Sequence, residues 1–258
     1  MVPKLYKEFY EQRIFTLDEI KPSYPDPQQA RNAVHYLIKN GYARKIKAGL
    51  YTIIPFEYRD KKFIPDGLLV GRLLADEYYF SHATALYVMG VIPTYHPRIV
   101  ITSSQRFRRF NFEGIDFYCL VTKNHFGFRE HDYKGTTVNV SDQERTLIDV
   151  VNRFDLSGGI VGAFRNLYHL GFINYPKLME YLDKIGKRSL MVKVGFTLDY
   201  LQGHWEVDQE ILKELKKIAT AQETIYYLDR SIPKGLGRLE KGWNLIIPNM
   251  FEELVKRR

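Results

Sequence analysis

Between Pro27 and Lys39, the residues Gln28, Asn32, His35 and Lys39 share one face of a 3.6-residue period, with Arg31 and Tyr36 beside them. Amide, imidazole and ammonium groups in such an array donate hydrogen bonds to base edges and phosphate oxygens, which is the chemistry of a helix in a DNA groove. The opposite face holds Ala30, Ala33, Val34, Leu37 and Ile38 at i, i+3, i+4, i+7 and i+8, a stripe that must be buried. Just downstream, Arg44-Lys45-Ile46-Lys47 and Leu50-Tyr51-Thr52-Ile53 flank Ala48-Gly49 and predict a β-hairpin. On it Arg44, Lys45 and Lys47 can lie along a phosphate backbone. No acidic residue interrupts the run from Pro27 to Tyr51. A solvated amphipathic helix beside an ordinary surface hairpin is the plainer alternative; agreement of helix, cap, charge and hairpin over one segment favours DNA. A second basic surface is suggested by Arg106, Arg108 and Arg109, interleaved with Phe107 and Phe110. In a strand, however, alternation would turn such residues to opposite sides of the sheet.

Other residue types argue against catalysis. Ser81 and His82 are neighbours, so on a helix their side chains diverge by about 100° and do not pair as nucleophile and base. Ser81 is expected to be a helix cap. The seven histidines (His35, His82, His96, His125, His131, His169 and His204) show no HExxH or HxH spacing, and one cysteine, Cys119, excludes an internal disulfide or a multi-cysteine zinc site. Ser157-Gly158-Gly159-Ile160-Val161-Gly162 lacks the GK[ST] ending of a phosphate loop and reads as a turn opening a helix. Asp66, Glu77, Glu113 and Asp116 are the carboxylates a magnesium-dependent nuclease would draw on, but no acid is followed two residues later by lysine on a strand. Arg145 and Asp149, next to Glu144, stand at i and i+4 and predict a salt bridge on one helix face. No catalytic residue, metal or cofactor is expected.

The elements that position these groups follow from punctuation. Asp26 N-caps the Pro27 helix, and Asn40-Gly41 ends it. Thr16-Leu17-Asp18-Glu19 is a capping box for a short helix closed by Pro22, and Pro3 to Gln12, with Leu5 and Phe9, forms another. Three helices and a hairpin make a winged helix-turn-helix over residues 1–60, with a linker near Asp60. Residues 61–258 are expected to form a larger α+β domain. In it, helices run over Leu68 to Ala75 and His82 to Gly90, and strands over 98–102, 106–112, 115–121, 126–133 and 136–140. Ser141-Asp142-Gln143-Glu144 predicts a second capping box, for a helix from Gln143 to Arg153. Further helices are expected over 160–170, 175–185, 189–201 and 209–218, then short strands at 225–228 and 243–247 and a helix from Phe251 to Arg258. The fold class is thus α+β, with a mainly antiparallel sheet and a helical C-terminal part.

The 258 residues are 45% hydrophobic with a formal charge of +8, which suits a folded protein with a polyanionic partner. Arg98 and Lys256-Arg257-Arg258 add to that charge. No apolar run reaches the length of a membrane span and MVPKLYKEFYEQR has no signal-peptide core, so a cytoplasmic protein without membrane contact is expected.

The order of ARKIKAGLYTI, SHATAL, VSDQERTLIDVV and SGGIVGAF resembles the AbiEi-type antitoxins, transcriptional regulators of type IV toxin-antitoxin systems. The likeness extends to about Phe164. It implies an N-terminal winged helix that represses its own promoter through double-stranded operator DNA, and a C-terminal domain that opposes a nucleotidyltransferase toxin encoded next door. The implied DNA contacts are the exposed positions of the Pro27 helix and the wing, and no catalytic residue is implied. The competing expectation is an enzyme, a DNA-targeted nuclease or nucleotide-transferring protein that uses the winged helix for targeting.

Overall fold

The computed structural model describes residues 3–59, 61–93 and 97–256. Asp60, His96 and Arg257-Arg258, which entered the expectations above, lie outside these. The chain divides into two compact units, Met1–Asp76 with Phe107–Tyr118, and Glu77–Arg106 with Cys119–Arg258. The first therefore extends past the expected linker and takes in a later segment.

Its N-terminal part runs α1 (Lys4–Glu8), β1 (Ile14–Thr16), α2 (Leu17–Ile20), α3 (Pro27–Lys39), β2 (Ala43–Lys47), β3 (Leu50–Ile53) and α4 (Gly67–Gly71). Both halves of the Thr16 capping box form: Thr16 Oγ1 accepts from the Glu19 N–H at 3.2 Å and Glu19 Oε2 accepts from the Thr16 N–H. Asp26 caps α3 through the Gln28 N–H at 3.0 Å, and Gly41 follows it at φ +71°. Helix α1 is shorter than the run to Gln12. The strand β1 has no counterpart among the expected elements; it pairs antiparallel with β3, so that the sheet order is β1-β3-β2. Three residues, IFT, are too few to show a period; their pairing with β3 makes the strand. Tyr6, Phe15, Ile20, Val34, Leu37 and Ile53 form the core beneath it.

The chain continues with β4 (Tyr78–Phe80), α5 (His82–Val88) and β5 (Arg98–Ser103), then β6 (Phe110–Phe112) and β7 (Ile115–Val121), whose hairpin falls mostly in the first unit. Next come β8 (Phe128–Tyr133), β9 (Thr136–Ser141), α6 (Gln143–Asn152), α7 (Gly159–Tyr168), α8 (Tyr175–Ile185), α9 (Arg188–Leu201) and α10 (Gln209–Thr220). Three short strands, β10 (Tyr226–Tyr227), β11 (Gly237–Glu240) and β12 (Leu245–Pro248), precede α11 (Phe251–Lys256). The architecture is α+β. The large sheet has the order β6-β7-β5-β4-β9-β8 and is mixed, β4 running antiparallel to β5 and parallel to β9.

Several local expectations change. Strand β4 had no predicted counterpart: YYF is buried throughout, as a central strand covered on both faces is, and so has no alternation to read. Asp142 rather than Ser141 caps α6, accepting from the Arg145 N–H at 2.8 Å. Ser141 is occupied by the Thr146 hydroxyl at 2.7 Å, and Glu144 by the Asn174 N–H at 2.8 Å. In the helical core α9 lies against α6 and α10, with Gly195 facing the Trp243 ring and Trp243 Nε1 donating to Asp199 at 2.7 Å. Among the described residues no helix is long and apolar enough to cross a membrane.

Candidate functional site

Helix α3 buries Ala30, Val34 and Leu37 and leaves Gln28, Arg31, Asn32, His35, Tyr36 and Lys39 exposed. Three of the exposed groups are linked: Gln28 Nε2 donates to Asn32 Oδ1 at 3.1 Å, and the Arg31 guanidinium donates to Gln28 Oε1 at 3.3 Å. These local bonds hold the amides along one side of the helix without desolvating them.

The hairpin is less uniform than its sequence. Lys45 is exposed on β2. Arg44 is half-buried instead of projecting: its guanidinium donates to the Glu113 carboxylate and, at 3.1 Å, to the Phe63 carbonyl, and Lys62 sits 3.7 Å from the same carboxylate. Its charge is spent on a contact across the first unit, bracing β2. Lys47 is also half-buried, 5.7 Å from the centre of the Phe107 ring, and burial lowers its pKa. The register between β2 and β3 shifts between Lys45 and Lys47.

The second basic segment is not a strand until Phe110, so the alternation argument does not apply to residues 106–109. Arg106 and Arg108 are exposed, whereas Arg109 makes a bidentate pair with Asp116 at 2.7 and 2.6 Å. The carboxylates considered for a nuclease are each engaged separately. Glu113 holds Arg44, Asp116 holds Arg109, Asp66 caps α4 through the Leu68 N–H at 2.9 Å, and Glu77 accepts from the Ser104 hydroxyl at 2.5 Å. Among the described residues no three His, Cys, Asp or Glu side chains are grouped to hold a metal ion.

Ser81 and His82 overturn their expectation. Ser81 has no capping bond to α5; its hydroxyl lies 2.8 Å from His82 Nδ1 and 2.8 Å from Thr102 Oγ1. The helical divergence does not hold because Ser81 is extended and His82 sits in the left-handed region at φ +54°. His82 is buried and its pKa is pushed down to about 3, first by burial and then by the charge of Arg153, so the ring is neutral; its Nε2 has no partner in the protein. Nearby, the predicted bridge forms in full: Arg145 Nε donates to Asp149 Oδ1 at 2.9 Å, and its NH1 donates to the carbonyls of Asn124 and Phe126 at 2.8 and 3.1 Å. Burial raises the Asp149 pKa against that pairing. Sequence reasoning missed this buried polar cluster because β4, α5 and α6 assemble it from distant stretches. The local signal was the placement of Ser81, His82 and Thr84 among residues as apolar as Tyr79, Phe80 and Leu86.

The sequence matches no protein-family model and no curated protein. Among solved structures the chain is similar to the RV2827C protein from Mycobacterium tuberculosis, with a TM-score of 0.64 and 13% identity over 95% of this chain and 92% of that one. At that identity the likeness is one of fold: both chains share the α+β architecture over nearly their whole lengths.

Proposed function

We propose that the protein is a DNA-binding transcriptional repressor and the antitoxin of a nucleotidyltransferase toxin, acting by binding and not by catalysis. The DNA reading is carried by one observation, the polar face of α3, where Gln28, Arg31, Asn32, His35, Tyr36 and Lys39 are all exposed while Ala30, Val34 and Leu37 opposite them are buried. The order of helices and the antiparallel sheet β1-β3-β2 support a winged helix-turn-helix. In this reading Gln28 and Asn32 address base edges, with Arg31, His35, Tyr36 and Lys39 beside them, while Lys45 and the edge of Lys47 meet phosphate. Arg44 braces the wing. The antitoxin role rests on the family resemblance of SHATAL and VSDQERTLIDVV, the segments that supply α5 and α6.

Titration of DNA from upstream of the protein's own gene, over a salt series, tests the first part. Asn32→Ala is expected to relax discrimination by about 1–3 kcal/mol at its base. Lys45→Ala is expected to weaken all DNA binding and reduce the salt slope by about one, while Arg44→Gln leaves that slope unchanged. Unaltered affinity and slope in both Asn32→Ala and Lys45→Ala refute the interface. Co-expression with a neighbouring nucleotidyltransferase tests the second part: restored growth is expected, and failure to restore it leaves the repressor alone.

A further inference from the structure

The buried cluster around His82 forms the floor of a cleft of about 860 Å³ within the second unit, a volume suited to a small-molecule ligand. Its walls come from α6, the start of α9, the end of β7, and β10 with the loop after it. Two of its cations are matched within the protein, Arg145 by Asp149 and Arg153 by Asp155 at 2.8 Å. The remaining three, Lys187, Lys193 and Arg230, face the same space with Asp229 as the further carboxylate in the lining. Burial brings the Lys193 pKa down to about 8 against the pull of Asp229, with smaller contributions from the positive charges of Lys187 and Arg230. An ammonium held in that environment gains from an incoming anion.

Two further features point to a ligand larger than a simple ion. His82 is among the residues that line the cleft, is 98% removed from solvent, and its Nε2 lacks a hydrogen-bond partner, although buried ring nitrogens are ordinarily satisfied. The left-handed backbone at His82 keeps it there. Val121, Ile225 and Tyr227, large apolar side chains about half-exposed, also line the cleft, with Tyr226 among them. Cations, an orphaned polar atom and an apolar rim in one cavity are the complement of a small molecule with a phosphate at one end and a flat or apolar body at the other.

We propose that this cleft binds a small phosphorylated compound, its phosphate held by Lys187, Lys193 and Arg230 and its body seated between Tyr226-Tyr227 and the His82 floor. Such a site is separate from the nucleic-acid face of α3 and does not depend on it. No covalent step is implied.

Calorimetric titration of the full-length protein with pyrophosphate and, separately, with a nucleoside triphosphate tests the site. Saturable binding is expected, weakened by about tenfold or more in Lys193→Gln/Arg230→Gln and unchanged in Lys213→Gln, whose ammonium sits on the exposed side of α10. A melting curve verifies that the double variant is folded. Tighter binding of the nucleotide than of pyrophosphate, by a margin that Tyr227→Ala removes, identifies a nucleotide ligand. Equal binding identifies a compound recognised through its phosphate alone. The proposal is overturned if neither probe saturates at millimolar concentration, or if a folded double variant binds as the parent does.

Discussion

At the scale of single residues, His82 shows how a tertiary environment reassigns a side chain. Its pKa falls from 6.5 in the unfolded chain to about 3 in the fold, so below pH 6.5 the unfolded state takes up a proton that the native state refuses. Stability from this group is therefore complete above pH 6.5 and lost progressively as pH falls towards 3, with a slope approaching ~1.4 kcal/mol per pH unit. His82→Asn keeps a polar residue that tolerates the left-handed backbone but removes the titration. Urea unfolding at several pH values between 4.5 and 7.5 is expected to show a shallower loss of stability in the variant; parallel curves would contradict the assignment. The i, i+4 spacing made the Arg145–Asp149 bridge legible from sequence alone. Ser81 was not legible, because the expected cap assumed helical geometry that His82 departs from. Nor was the commitment of Arg44 to Glu113, since the partner lies 69 residues away and nothing local marks it.

Among the elements, those with strong punctuation were the readable ones. Helix α8 occupies the predicted span from Tyr175 to Ile185, and the hairpin of β2 and β3 agrees to within one residue, because Asn174, Gly186 and Gly49 mark their ends chemically. Strands β1, β4 and β11 were not readable because pairing and burial, not pattern, create them. Helix α9 was read to within a residue, yet its tight point was hidden. A Cβ on Gly195 would lie 2.3 and 2.6 Å from Trp243 ring atoms and 3.1 Å from the Leu215 Cβ. Overpacking at such a site costs about 1–3 kcal/mol and outweighs the gain in helix propensity. Gly195→Ala is thus expected to lower the melting temperature and perturb Trp243 fluorescence. Gly203→Ala, with open space around its Cβ, is expected to do neither, and equal behaviour of the two variants would count against close packing of α9 on Trp243.

For the whole molecule, the α+β class was legible from the grouping of strands and helices, but the composition of the units was not. The first unit is discontinuous in sequence: it leaves at Asp76 and is completed by Phe107–Tyr118. One hydrophobic cluster of that unit nevertheless lies between Leu5 and Ile53, with Leu68, Val70, Ile115 and Phe117 buried outside it. A fragment of residues 1–76 is therefore expected to fold, show mixed helix and strand by circular dichroism, and melt below Glu113→Ala in the full chain, which loses the ion pairs of Glu113 with Arg44 and Lys62. A fragment with no cooperative melt would show that the core is insufficient without the later hairpin. The same discontinuity sets an order of events during synthesis. Glu113 leaves the ribosome 69 residues after Arg44, a delay of roughly 3–14 seconds at about 5–20 residues per second. Throughout that interval the nascent β2–β3 hairpin carries an uncompensated guanidinium, so the brace on β2 closes only after the helix it flanks has had time to form.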